Sequence, residues 1–224
     1  MKNNLTEIIF VVDESGSMGS VRSDVIGGFN TFLKDQKELP GEAILTLVKF
    51  DTDYKKLEEG TLLEQVKELD NERYAPGGMT ALLDAVGKTI NEVVSRHATL
   101  PEEDRPAKVI LAVFTDGAEN SSTEFRNVKD LAKMVKERED NGWEIIFLGA
   151  DIDAWGDGQR MGFSKSRGVS KDDMLLNMTK ISNYTASYRS KGVGATMDMA
   201  DVNKTFDMSP EELKKEMDDL KSKK

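Results

Sequence analysis

Three short stretches hold the residue types that do chemistry. Asp13-x-Ser15-x-Ser17 interrupts the run Ile-Phe-Val-Val-Asp-Glu-Ser-Gly-Ser-Met-Gly at residues 9–19. Thr80 ends Ala75-Pro76-Gly77-Gly78-Met79-Thr80, and Asp116 lies in Thr115-Asp116-Gly117. Two carboxylates and three hydroxyls, all oxygen donors, suit a hard divalent cation. Magnesium favours near-octahedral oxygen coordination and keeps water in its shell, so carboxylates can serve it through water. The alternation Asp-x-Ser-x-Ser lets one turning loop aim three side chains at one centre. Neutral hydroxyls leave such a cation more residual charge than a cage of carboxylates, and that charge attracts an acid from a partner. Two other roles stand beside this one for the first stretch: a serine nucleophile, and a cap on the helix starting near Met18. Capping alone leaves Thr80 and Asp116 unaccounted for.

These residues need elements to position them. Ile8–Val12, Val109–Phe114 and Ile145–Leu148 are nearly all apolar, the pattern of strands buried on both faces of a parallel sheet. Ala43–Phe50 is more mixed and is placed nearer an edge, with residues 54–63 pairing to it antiparallel. Val21, Val25, Phe29, Phe32 and Leu33 recur at helical spacing. So do Leu82, Leu83, Val86, Ile90, Val93 and Val94, and then Val128, Leu131, Met134 and Val135. Alternating strands and helices predict an α/β fold, a doubly wound and mostly parallel sheet with helices on both faces and one antiparallel edge strand. Ligands of such sheets gather beyond the carboxyl ends of the strands, where all three stretches fall. A short helix over 153–162, a strand over 166–169 and a helix over 172–189 complete a domain assigned to residues 1–190. Residues 191–224 are expected to be a linker and a C-terminal tail helix, begun by Ser209-Pro210-Glu211-Glu212 and carrying Leu213, Met217 and Leu220.

Asp13-x-Ser15-x-Ser17, Thr80 in Gly-Gly-x-Thr and Thr115-Asp116-Gly117 resemble, in order and spacing, the metal-ion-dependent adhesion site of von Willebrand factor type A domains. The resemblance covers roughly residues 5 to 190. Asp116-Gly117-Ala118-Glu119-Asn120-Ser121-Ser122 and Phe147-Leu148-Gly149-Ala150-Asp151 also resemble intracellular bacterial and phage members. It implies a Rossmann-like fold and five metal-site residues, Asp13, Ser15, Ser17, Thr80 and Asp116. In that family pattern Ser15 and Ser17 ligate the cation, Mg2+ or Mn2+. Asp13, Asp116 and Thr80 act directly or through water, and a partner's Asp or Glu takes the vacant position. Glu14 is expected to face solvent.

Composition narrows the function. A formal charge of −10 over 224 residues argues against a nucleic-acid partner, which needs a concentrated basic face. No cysteine is present, which fits a reducing compartment, and the Ile8–Val12 stretch is too short for a signal-peptide core or a membrane span. A cytoplasmic protein without membrane contact is expected, its oligomeric state open. Aspartyl phosphatases place a second Asp two positions after the first, where this chain has Ser15; neither serine sits in a Gly-x-Ser-x-Gly elbow, and the one histidine, His97, is read as a surface or helix-end residue. Asp84 is read as a helix N-terminal acid facing the dipole. The expectation is therefore a metal-dependent protein-interaction module rather than an enzyme. The alternatives are a scaffold acting through its tail helix and a metal-dependent phosphoryl-transfer enzyme.

Overall fold

The computed structural model describes residues 1–150 and 152–223. Among them, six strands form one sheet: β1 (Lys2–Asp13), β2 (Glu42–Phe50), β3 (Tyr54–Leu62), β4 (Pro106–Thr115), β5 (Glu144–Gly149) and β6 (Ser166–Gly168). Their order is β3-β2-β1-β4-β5-β6, with β3 antiparallel and every other pairing parallel. From β1 the chain winds outward through β2 and β3, then returns across β1 to build β4, β5 and β6. The order therefore reverses between β1 and β4, which places a crevice at their carboxyl ends.

The pleat of β1 divides the core. Ile8, Phe10 and Val12 face one layer, and Ile9 and Val11 the other. The first layer holds α1 (Arg22–Glu38), whose Phe29 and Phe32 rings lie 5.9 and 5.4 Å from that of Phe10, and α5 (Met174–Ser190) with Met178, Ile181 and Tyr184. The second is made by α2 (Leu82–Thr99) and α3 (Val128–Asp140), and α4 (Ile152–Arg160) follows β5. Full burial of each such side chain stabilises the fold by about 1.5–3 kcal/mol, enough for these two layers to fix the register of β1 against β4. Val12 there lies opposite Phe114.

Beyond α5, the segment expected to be a linker contains a further helix, α6 (Met199–Asp207), ahead of the tail helix α7 (Pro210–Lys221). A reciprocal capping box between Asp198 and Asp201 starts α6, and Val202 and Phe206 are buried. Helix α7 docks: Met217 and Leu220 cluster with Leu39 and Ala186, Lys221 pairs with Asp35 and Glu38, and the Asn183 amide donates to the Leu213 carbonyl at 2.7 Å. At the outer edge, β3 carries Lys55, Lys56, Glu58 and Glu59 and pairs with β2 through two register shifts. The opposite edge, β6, is three residues long.

Candidate metal centre

Asp13 ends β1 with its side chain fully buried. Its Oδ1 accepts the Ser15 amide at 2.6 Å, and its Oδ2 accepts the Thr115 hydroxyl from the end of β4 at 2.5 Å. The chain then enters a 3-10 turn, Gly16–Val21, for which Ser15 makes no side-chain capping bond. The Ser15 hydroxyl instead lies 3.1 Å from that of Ser17, which donates to Asp116 Oδ1 at 2.6 Å. Two serines of one loop and the aspartate of another thus form a continuous row of oxygens, and the capping role for Ser15 falls away.

Thr80 arrives from the third loop, which is tied on three sides. The Gly77 amide donates to the Glu14 carbonyl, the Gly16 amide to the Gly78 carbonyl, and the Met79 amide to the Thr52 hydroxyl. Asn120 clamps Thr80 itself: its side chain accepts the Thr80 amide at 2.9 Å and its amide donates to the Thr80 carbonyl at 3.0 Å. Gly78 turns with φ +69°, where glycine alone is unstrained. Gly117 is required by proximity: a Cβ there would lie 2.9 Å from Thr80 Oγ1 and 3.7 Å from Asp13 Oδ2. Thr80 and Asp13 therefore crowd the backbone of the glycine that follows Asp116, and the loops that carry the five predicted residues all lie beyond the carboxyl ends of β1 and β4.

Among the described residues no cation pairs with Asp13, whereas Asp116 has one. Burial raises the Asp13 carboxyl to about 6; hydrogen bonds from Thr115 and Ser15 oppose the rise and the Asp116 charge adds to it. Beneath it the Tyr74 hydroxyl donates to the Asp13 carbonyl at 2.6 Å. Burial, with the charges of Asp13 and Glu14, holds this phenol well above its ordinary value and keeps it a donor. Lys171, from the 3-10 turn Lys171–Asp173 before α5, pairs with Asp116 Oδ2 and donates to the Ser17 carbonyl at 2.6 Å.

One sequence expectation needs correction, and two others gain detail. Glu14 does not face solvent: it is 1% exposed, pairs with Lys49 at 2.8 Å and accepts the Ala75 amide at 2.5 Å, fastening the first loop to β2 and to the third loop. Asp84 does more than face a dipole, since it accepts the amides of Thr123, Glu124 and Phe125. Burial pushes its carboxyl up, and those three amides outweigh burial and hold it below its ordinary value. Glu119 and Ser122 in turn receive the Leu83 and Asp84 amides, so the loop after Asp116 caps α2 from outside. His97, at a helix end as expected, is half-buried and lies 2.6 Å from Glu7 Oε2, towards the amino end of the sheet. Asp151, the last residue of the second bacterial and phage-like run, lies outside the described residues.

Comparison with known proteins places this geometry. A family model described as the von Willebrand factor type A domain matches residues 7–188. The vWF domain of the type V pili tip protein Mfa5 from Porphyromonas gingivalis has a similar fold, with a TM-score of 0.62 at 11% identity over 85% of this chain and 98% of that one. A von Willebrand factor type A protein from Catenulispora acidiphila gives 0.54 at 15% identity, covering 80% and 42%. The ArnB paralog VWA2 from Sulfolobus acidocaldarius gives 0.54 at 17%, covering 81% and 45%. The chain spans less than half the length of these last two, and at such identities the likeness is one of fold. Family match and topology agree: the chain belongs to the von Willebrand factor type A family, whose domains generally serve as protein-interaction modules.

Proposed function

We propose that Asp13, Ser15, Ser17, Thr80 and Asp116 form a complete metal-ion-dependent adhesion site for Mg2+ or Mn2+, and that the protein binds a partner's carboxylate through that cation. The observation that carries this is the unbroken row Ser15–Ser17–Asp116, two hydroxyls and a carboxylate at hydrogen-bond spacing across the topological switch point. This donor set is one that a hard cation takes. When bound, the ion supplies a positive centre with a position open to an acid. The chain supplies orientation: the Ser15 amide and Thr115 hydroxyl fix Asp13, Asn120 fixes the backbone of Thr80, and Glu14 with Lys49 fastens the first loop.

The partner's chemistry follows from charge. A protein of net charge −10 repels acids at long range, so the matching surface has an Asp or Glu at its centre and Lys or Arg around it. The same reading holds the protein to be a non-enzymatic, cytoplasmic module of bacterial or phage type, with residues 1–190 as the domain and 191–224 as its appendage. The non-enzymatic part draws support from His97, which is engaged with Glu7 rather than with Ser15 or Ser17. Among the described residues no helix is long and apolar enough to cross a membrane. A scaffold acting through the tail helix is less favoured because Leu213, Met217 and Leu220 are buried on the domain itself.

Calorimetric titration of Mg2+ and Mn2+ into metal-free protein tests the site. One saturable event in the wild type and none in Asp13→Ala is expected; equal binding by both rejects the assignment. A pull-down from the host then tests the function, with partners lost both in EDTA and in Asp116→Ala. A partner set indifferent to both treatments would move recognition elsewhere on the surface.

A further inference from the structure

The two oxygens of Asp116 have different company. Oδ1 accepts the Ser17 hydroxyl, whereas Oδ2 is buried without a well-formed hydrogen bond and has the Lys171 ammonium as its ion-pair partner. The same ammonium donates to the Ser17 carbonyl, so Lys171 bridges two of the five site residues. It reaches them from the segment after β6, at the start of the turn that leads into α5. Among the described residues it is the one cation paired with either Asp13 or Asp116; Lys49 and Lys55 pair with Glu14 instead.

We propose that Lys171 is a tethered counter-cation of this site: its ammonium neutralises Asp116 in the metal-free protein, and a divalent ion must displace it to bind. The inference rests on the metal reading above and adds to it a competitor built into the chain. An ammonium on Asp116 Oδ2 and a divalent ion sharing that carboxylate repel each other strongly at such spacing in a poorly hydrated pocket. The lysine side chain is 29% exposed on a flexible four-carbon stem, so it can leave for solvent without moving the backbone of α5. Two consequences follow. Metal affinity is lower than the five ligands alone would give, and without metal the two buried carboxylates are not left facing each other uncompensated. Once displaced, the ammonium stays at the rim, where it adds positive charge beside an incoming acid.

The test is calorimetric titration of Mn2+ into metal-free, full-length wild type, Lys171→Gln and Asp13→Ala at one pH and ionic strength. Lys171→Gln is expected to bind Mn2+ at least about tenfold more tightly than the wild type. A second measurement needs no variant: amine acetylation of the wild type read by mass spectrometry, in which Lys171 labelling rises several-fold on Mn2+ saturation as the side chain is released. Mn2+ binding that Asp13→Ala abolishes but Lys171→Gln leaves unchanged or weakens, with Lys171 labelling indifferent to Mn2+, overturns the counter-cation and leaves the metal site standing. Absence of Mn2+ binding in both wild type and Lys171→Gln overturns the metal site and this inference together.

Discussion

Strand β1 buries two acids six residues apart, and their surroundings are opposite. Glu7, near the amino end of the sheet, meets Arg96 at one oxygen and His97 at the other, with the Thr46 hydroxyl donating at 2.8 Å. Burial alone would raise its carboxyl, but the His97 hydrogen bond and the Arg96 charge outweigh burial and hold it below its ordinary value. Asp13, at the carboxyl end, receives neutral donors only, and burial leaves it raised to about 6. One acid has its positive charge supplied from within the fold. The other is met by neutral donors alone, the nearby Lys171 ammonium pairing with Asp116 instead. Burial of an acid is thus no sign of function; what separates these two is whether the fold itself supplies the compensating charge.

That contrast can be broken most severely at Asp13. Asp13→Ala is expected to weaken Mn2+ binding more than about 100-fold, or about 2.7 kcal/mol, while Glu7→Gln leaves it within about twofold, both by calorimetry. Stability should respond the other way. Glu7→Ala removes the acid from beneath Arg96 and His97 and should cost about 3 kcal/mol in chemical denaturation, since breaking a buried pair strands its partners. If metal affinity collapsed with Glu7→Ala, the two ends of β1 would not be independent. A smaller effect is expected at Gly117→Ala, whose new Cβ crowds Thr80 Oγ1: Mn2+ affinity falls roughly tenfold with the melting temperature little changed. The mildest test is pH. Because the Glu7 carboxyl lies below its ordinary 4.5 when folded, its contribution is fully present above that value and is lost as pH falls through the folded one. The stability gap between wild type and Glu7→Gln should therefore narrow as pH falls below about 4.5.

Much of this architecture was legible from pattern. Near-continuous apolar runs identified β1, β4 and β5, because strands buried on both faces tolerate little else. Helical spacing identified α1, α2 and α3, and Ser209-Pro210-Glu211-Glu212 marked α7 with its capping box. The five oxygen donors stand out in the sequence because loop chemistry at strand ends is local. What escaped was long-range. Lys171 lies in a polar Ser-Lys-Asp-Asp stretch, and nothing in its neighbourhood indicates that it reaches Asp116. Glu14 was assigned to solvent because a carboxylate in a loop belongs there by default; its partners, Lys49 and the Ala75 amide, come from two other segments. Asp84, Glu119 and Asn120 act between α2 and the loop after Asp116, a pairing that only the closed sheet reveals. Helix α6 was detectable in principle: Met199, Val202 and Phe206 share one helical face behind Asp198, but nine residues with three apolar positions stand out weakly from a polar segment.

The two margins of the sheet bear on how another protein can approach. A strand bordered by solvent is ordinarily a template onto which a foreign segment can be stitched by main-chain hydrogen bonds. Here one margin bristles with Lys55, Lys56, Glu58 and Glu59 on a bulged ribbon, and the other offers only the three residues of β6. Neither gives an extended peptide a long, flat row of unpaired amides. Stitching is thereby discouraged at both sides, which also guards against self-association into fibrils.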